Sequence, residues 1–484
     1  MRLERNCMYL GIILHLLSKI SFVIGSYAMH FFLGRYLPEA EYGIVGTIIT
    51  IMNFEYIFFT DGVRQGMAKT ISLERYEEKA LIRTGLMFQA GIVLLFFGGT
   101  YLGAPVIAGL LGDADLIPYI RNLAFLLPFT GLYSLMLGIL NGHKAFQAEA
   151  GISIVYPILK LSVIPSVVFL FSDAVLGTQA GFLFAAVTIS LISVLGVWKL
   201  SPSLHKSEER MPGMEYAKTA ASYLLLFGAS TFMMNLDTLV LKRVSGDNEI
   251  VGYYTGVANF AKIPYYLLTA FYTVVLPIIT GYYIQGNIKE AREKIADVLG
   301  LALGFILPVI VIVSAASGHI LALFYKPSYR RGENALTFLV FAIAFLGMML
   351  IFSMILSAAD RKTLIAALSV GMLLVQAILC VILTERYSLT GTAAATLIAT
   401  AAGMIVSAAA VCRIFGAFWQ KKHTLLLGIN LAAYAVLLFA FRHVQIGNFF
   451  VLIALCGICY LLLAAAGAGL TGIWRELRFM KRSE

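Results

Sequence analysis

The chain has 484 residues, 60% of them hydrophobic and only 13% charged, where an ordinary soluble domain is about 45–50% apolar and about 25% charged. A water-soluble globular fold is excluded, and the lack of any long polar block leaves no room for a separate catalytic domain. The formal net charge of +10 would suit nucleic acid, but the basic residues collect in short connections between apolar runs, so nucleic acid is not an expected partner.

A bilayer core about 30 Å thick is crossed by roughly 20 helical residues at about 1.5 Å each. On that ruler about fourteen spans fall near 9–33, 42–60, 84–112, 117–140, 150–171, 176–199, 219–242, 250–283, 293–316, 334–357, 362–384, 388–411, 424–441 and 448–467. None shows the strict alternation of a transmembrane strand over about ten residues, so the expected fold is an all-α integral membrane protein. The first span follows Arg2 and Arg5 but is too long for a signal's apolar core, contains Lys19 and leads into another span. It is expected to stay attached as helix 1. Arg64, Lys69, Arg75, Lys79 and Arg83 lie between helices 2 and 3, and Arg475, Arg478, Lys481 and Arg482 lie near the end. The positive-inside rule assigns these groups to the cytoplasm, an even number of spans puts both termini there, and membrane lipids with anionic headgroups become natural partners. Cys456 and Cys459 have C-x-x-C spacing, but with no second pair or nearby His they read as packing residues, and no metal site is expected.

The chain also echoes itself. After helix 1 it reads LGRYLPEAEYGIVG (33–46), and after helix 7 it reads LKRVSGDNEIVGYY (241–254), pairing Arg35 with Arg243 and, after a one-residue shift, Gly43 with Gly252. GILNGHKAF (138–146) after helix 4 echoes MILSAADRKTL (354–364) after helix 10 at a similar offset of roughly 210 residues. Two matches at one offset predict two parallel six-helix lobes about an axis along the membrane normal, the architecture of rocking transporters, with substrate between the lobes. The expected organisation is an N-terminal lobe over 1–199 (helices 1–6), a cytoplasmic linker over 200–218, a C-terminal lobe over 219–411 (helices 7–12), and helices 13–14 with a basic tail over 412–484.

Four segments carry a family resemblance: L-G-R-x-L-x-x-x-E-Y-G at Leu33 to Gly43; a D-G-V-R-Q-G-M-A-K turn at Asp61 to Lys69; the stretch from Asn235-Leu236-Asp237 through Val251-Gly252-Tyr253-Tyr254 to Leu276-Pro277; and ALFYKPSY at Ala322 to Tyr329. In this order and spacing they resemble the polysaccharide exporter branch of the multidrug/oligosaccharidyl-lipid/polysaccharide (MOP) flippase superfamily, which includes Wzx-type flippases. The resemblance implies a MATE- and MurJ-like fold in the bacterial cytoplasmic membrane. It also implies a lipid-linked oligosaccharide as cargo, with polysaccharide polymerase and glycosyltransferases as pathway partners.

The charged residues singled out inside predicted spans are Lys19 (helix 1), Lys160 (helix 5), Lys262 (helix 8), Glu55 (helix 2) and Asp237 (helix 7). The lysines lie about ten to twelve residues from a span end, about 15–18 Å deep, where a charge costs about 2.5–3.5 kcal/mol. Such costs are tolerable if the ammonium groups face a wet cavity, an acidic partner or an anionic ligand. A polyprenyl diphosphate sugar would be such a ligand. Internal pairing with Asp237 or Glu55 is the plainer explanation, but two carboxylates leave one of the three lysines over. By resemblance to the lipid II flippases, whose helices 1 and 8 carry basic residues lining a central cavity, Lys19 and Lys262 occupy comparable places; Glu55 stands where those relatives have a basic residue, which disfavours a peptidoglycan precursor. The amides Asn53, Asn141 and Gln376 read as interhelical hydrogen-bonding groups, and Gly138/Gly142 and Gly300/Gly304 as close helix contacts.

No P-loop, H-E-x-x-H or G-x-S-x-G motif occurs, so neither a catalytic residue nor a cofactor is expected. Energy would come from a proton or sodium gradient or the membrane potential, with Asp237 and Glu55 as candidate ion carriers or charge partners. The alternative is a MATE-type multidrug/cation antiporter, whose cavity would want carboxylates where helix 1 offers Lys19. A membrane polymerase or ligase would need a sizeable catalytic outer loop, which the longest outer connection, roughly 317–333, does not supply.

Overall fold

The computed structural model describes the backbone of residues 2–199, 206–443 and 447–471, with side chains except those of 2–16, 19, 61, 167, 222–223, 225–227, 269–274, 277, 362, 468 and 470–471. The Lys19 side chain, the first residues of the expected linker and the basic tail from Arg475 to Arg482 lie outside the described residues. All regular structure among the described residues is helical. The chain divides into two compact units, Met1–Gly252 and Tyr253–Glu484.

The first unit begins with α1 (Arg2–Tyr36) and α2 (Glu39–Tyr56), which passes through a π-helical stretch (Ile57–Arg64) into α3 (Gln65–Ser72). There follow α4 (Glu78–Leu111), α5 (Ile117–Ala124), α6 (Leu127–Gly142), α7 (Phe146–Val168), α8 (Ala174–Trp198), α9 (Gly213–Met233), α10 (Leu236–Ser245) and the first residues of α11 (Asn248–Ala261). Small residues set the packing. α1 lies along α7, where a Cβ on Gly25 would stand 2.6 Å from Pro157 Cβ. A Cβ on Gly138 of α6 would come within 2.7 Å of the Arg64 carbonyl oxygen, as expected of a close helix contact. The segment 61–69 is not the turn its two glycines predict. It stays helical because those glycines serve contact instead: Gly66 faces the Ala220 backbone of α9, with 3.3 Å from an added Cβ to Ala220 Cα. Helix ends are set locally. Asp173 caps α8 by accepting from Val175 N (2.9 Å) and Leu176 N (3.0 Å), and Gly112, at φ +74°, ends α4 in a left-handed cap.

The second unit continues with α12 (Ile263–Ile284), α13 (Ile288–Ala315), α14 (Ser317–Phe324), α15 (Glu333–Ala358), α16 (Lys362–Phe415), α17 (Lys421–His443) and α18 (Phe449–Thr471). α16 is two helices: Ser388 is non-helical (φ 52°, ψ −135°), and the Thr384 and Thr392 hydroxyls meet at 2.8 Å. Eight residues of straight helix would separate them by about 12 Å, so the chain folds back at Ser388, and Gln376 donates across the hairpin to Thr396 Oγ1 (3.2 Å). α17 and α18 pack on α13, anchored by Lys422 Nζ to Asp297 Oδ1 (2.8 Å) and by His423 Nε2 with the Ala296 carbonyl (2.9 Å).

Nine helical runs among the described residues are long and apolar enough to cross a membrane, or ten if the α5–α6 pair, bent by 43°, counts as one. One of these runs, α16, covers two of the spans read from the sequence, and the spans 9–33, 219–242 and 250–283 fall on α1, the α9–α10 pair and the α11–α12 pair. Three spans expected as continuous helices are interrupted: 117–140 between α5 and α6, 219–242 at Met234–Asn235, and 250–283 at Lys262. Prolines explain two of the breaks, since Pro128 and Pro264 stand in the first turn of α6 and α12 and have no N–H to continue the preceding ladder. Large apolar side chains stand exposed on the outer helix faces, among them Leu102 (78%), Leu170 (79%) and Phe450 (77%), as befits a chain solvated by acyl tails.

Candidate transport site

Three of the five charged residues singled out in the sequence can be followed side chain by side chain in the first unit. Glu55 sits in the last turn of α2, immediately before the π-helical stretch, and is 5% exposed. Its Oε1 accepts from the Thr100 hydroxyl of α4, while Oε2 has no donor. Asp237 lies in the first turn of α10, buried, with Oδ1 accepting from Thr238 N at 2.7 Å. Lys160, half-buried on α7, places Nζ 4.5 Å from the Tyr156 ring centroid and 5.5 Å from that of Phe22 on α1. Electron-rich ring faces attract a cation and replace part of its lost hydration. Among the described residues no carboxylate forms an ion pair with Lys160 and no basic side chain forms one with Glu55.

The structure joins the neighbourhoods of two of these residues: Asn53 Nδ2 donates to Asn235 Oδ1 at 3.1 Å, tying α2 two residues before Glu55 to the break two residues before Asp237. α1, which carries Lys19, packs along α7, which carries Lys160. Lys262 belongs to the second unit. It is half-buried at the break between α11 and α12, where its N–H bonds the Asn259 carbonyl at 3.2 Å.

Two polar clusters escaped the sequence reading. In the first, Lys242 of α10 is 0% exposed, and its Nζ donates at 2.5 Å both to Asp113 Oδ2, in the turn after α4, and to Asn248 Oδ1 at the start of α11. Asn248 Nδ2 closes the triangle to Asp113 Oδ2 at 3.1 Å. Partial burial pushes the Asp113 carboxyl up, but the hydrogen bonds from Lys242 and Asn248 and the ammonium charge outweigh it and hold the group below its ordinary value. In the second, the connection before α9 is bound to the turn between α3 and α4. Arg75 grips Glu209 through Nε (3.0 Å) and Nη2 (2.5 Å), Arg210 Nε donates to Glu77 Oε2 (2.9 Å), and Glu77 N donates to the Glu209 carbonyl (2.7 Å). Both clusters use charges at helix ends, which a hydropathy ruler counts as loop. Their ion-pair partners lie more than a hundred residues apart in the chain, so spacing gave no signal.

Among the described residues, an all-helical chain with apolar helices long enough to cross a membrane and buried charges at helix breaks defines a membrane-spanning helical protein. Among solved structures, a lipid II flippase, MurJ, in an inward closed conformation is similar with a TM-score of 0.72 at 16% identity, covering 97% of this chain and 99% of that one. An inward-facing MATE family multidrug resistance transporter of the MOP superfamily is similar with a TM-score of 0.70 at 14% identity, covering 84% of this chain and 98% of that one. The family described as "Polysaccharide biosynthesis protein" matches residues 32–331, and the chain belongs to it. A Shigella flexneri protein named "Putative O-antigen transporter" is 23% identical over 383 residues, 75% of this chain and 87% of its own length. The "Lipid II flippase MurJ" of Bacillus subtilis (strain 168) is 24% identical over 315 residues, 57% of each chain. The resemblance read from the motifs therefore holds for family and fold.

Proposed function

We propose that the protein moves a polyprenyl diphosphate-linked oligosaccharide across the bacterial cytoplasmic membrane for surface polysaccharide synthesis. It does so by alternating access between two lobes, 1–199 and 219–411, joined by the linker 200–218, with 412–484 appended and both termini in the cytoplasm. Lys19, Lys160 and Lys262 receive the diphosphate, Glu55 and Asp237 serve as coupling or charge partners driven by a proton or sodium gradient or the membrane potential, and no cofactor takes part. Glycosyltransferases supply the cargo on one side and a polymerase consumes it on the other.

The observation that carries this reading is Lys160. An ammonium group held between two aromatic rings inside an apolar helix bundle, with no carboxylate paired to it, is stabilised short of what it had in water, and an entering diphosphate supplies what is lacking. The family and the names of the two relatives support an anionic, lipid-borne cargo; a cation exporter would gain nothing from this lysine. The test is surface polysaccharide in cells carrying Lys160→Met or Lys160→Arg as the only copy. A charge-assisted contact is worth about 1.5–3 kcal/mol. Lys160→Met should therefore cut export roughly tenfold or more while Lys160→Arg keeps most of it. Equal, undiminished polysaccharide in both would remove Lys160 from the site.

A further inference from the structure

The echo between 33–46 and 241–254 has a counterpart in space. A Cβ on Gly43 would lie 1.9 Å from the Asn248 carbonyl oxygen, and a Cβ on Gly252 would lie 2.0 Å from the Glu39 carbonyl oxygen. At an offset of 209 residues, Gly43 maps to Gly252 and Glu39 to Asn248, so the two contacts are each other's equivalents. Residues related by a two-fold touch reciprocally in this way only where the axis passes between them. The first turns of α2 and α11 thus cross in direct backbone contact at the repeat axis, and no side chain larger than hydrogen fits there.

Beside this crossing, and off the axis, stands the Lys242–Asp113–Asn248 cluster. It has no symmetric copy: the echo opposite Lys242 is Gly34 or Leu33. Arg243 lies alongside, its Nη1 2.8 Å from where a Cβ of Gly112 would be. Helix order puts the α1–α2, α4–α5 and α10–α11 turns at one end of the unit, the outer end if the N-terminus is cytoplasmic.

From this arrangement we infer that the Gly43–Gly252 crossing and the Lys242–Asp113–Asn248 cluster form an outer latch, the glycines sealing the axis and the ion pair holding α10–α11 against α2 and the α4–α5 turn. The inference rests on the alternating-access reading and adds the residues that keep the outer side shut. The latch suits reversible opening because its two parts differ in kind. The glycine seal is a contact of shape and forms only in the closed state. The buried ion pair is strong while dry and exchanges its partners for water once the turn lifts, so opening is neither free nor prohibitive.

The test needs no cargo. Spin labels at Tyr36→Cys and Asp247→Cys, on the full chain with its five native cysteines replaced, report the separation across the latch by pulsed electron resonance. The unsubstituted latch should give one short distance. Asp113→Asn, which removes the charge but keeps the size, and Gly43→Val, which wedges the crossing, should each add a second, longer population, with the larger share in Gly43→Val. A single unchanged distance in both variants overturns the latch. Since neither label nor variant touches the proposed cargo site, a working latch on a protein that moves no glycolipid would instead count against the flippase reading.

Discussion

Among the described residues Thr100 alone donates to the carboxyl of Glu55, and it reaches one oxygen of two. Thr100→Val should therefore destabilise the protein by about 1–3 kcal/mol, the cost of leaving a buried acceptor unmade, seen as a lower unfolding temperature of the purified protein in detergent. Glu55→Gln keeps an acceptor for Thr100 and should hold that temperature close to the parent, while altering the dependence of transport on the imposed ion gradient. Unchanged coupling would dismiss Glu55 as an ion carrier. Asp113 behaves differently because its carboxyl is held below its ordinary value of 3.8. A group depressed in the folded state contributes stability that is fully present above its unfolded pKa and is lost as pH falls through the folded one. The unfolding temperature should accordingly show no Asp113 contribution to its pH dependence near neutrality, and a decline below the usual carboxylate range that Asp113→Asn removes. An identical acid profile in the variant would contradict the ion pair.

Glycines separate at the level of the helix into those that make room and those that do not. Gly138 meets the Arg64 backbone at 2.7 Å from an added Cβ, whereas Gly151 on α7 has nothing within 4 Å. Gly138→Ala should overpack the α6 contact and cost about 1–3 kcal/mol, while Gly151→Ala should be neutral or stabilise α7 by up to about 1 kcal/mol; thermal melts of the pair check both, and equal effects would contradict the packing. The same distinction marks how far the sequence could be read. Apolar length made the helices legible, and small-residue spacing marked the Gly138 contact. Gly62 and Gly66 misled, because a glycine that serves close approach inside a helix looks the same in sequence as one that serves a turn. The break at Lys262 could be suspected from Pro264, but the one at Asn235 has no proline and coincides with the tertiary contact to Asn53. Lys242 and Asp113 were invisible because a charge at or just past the end of a span reads as solvated until its partner, 129 residues away, is placed beside it.

For the whole molecule the account comes down to charge at half depth. On the proposed function, an anionic guest offsets the desolvation cost of Lys160. Glu55 accepts from Thr100 and Asp237 from Thr238; on the proposed function both exchange an ion during the cycle. Reversing the sign of two lysines should abolish cargo movement without abolishing insertion, and should leave resistance to cationic dyes no lower than before. The most direct measurement is therefore flipping of a fluorescent polyprenyl diphosphate sugar by the full chain in liposomes, comparing the parent with the Lys19→Glu, Lys262→Glu double variant. The account predicts that the parent moves the lipid and the double variant, equally well inserted, does not; flipping at the parent's rate by the double variant would contradict it.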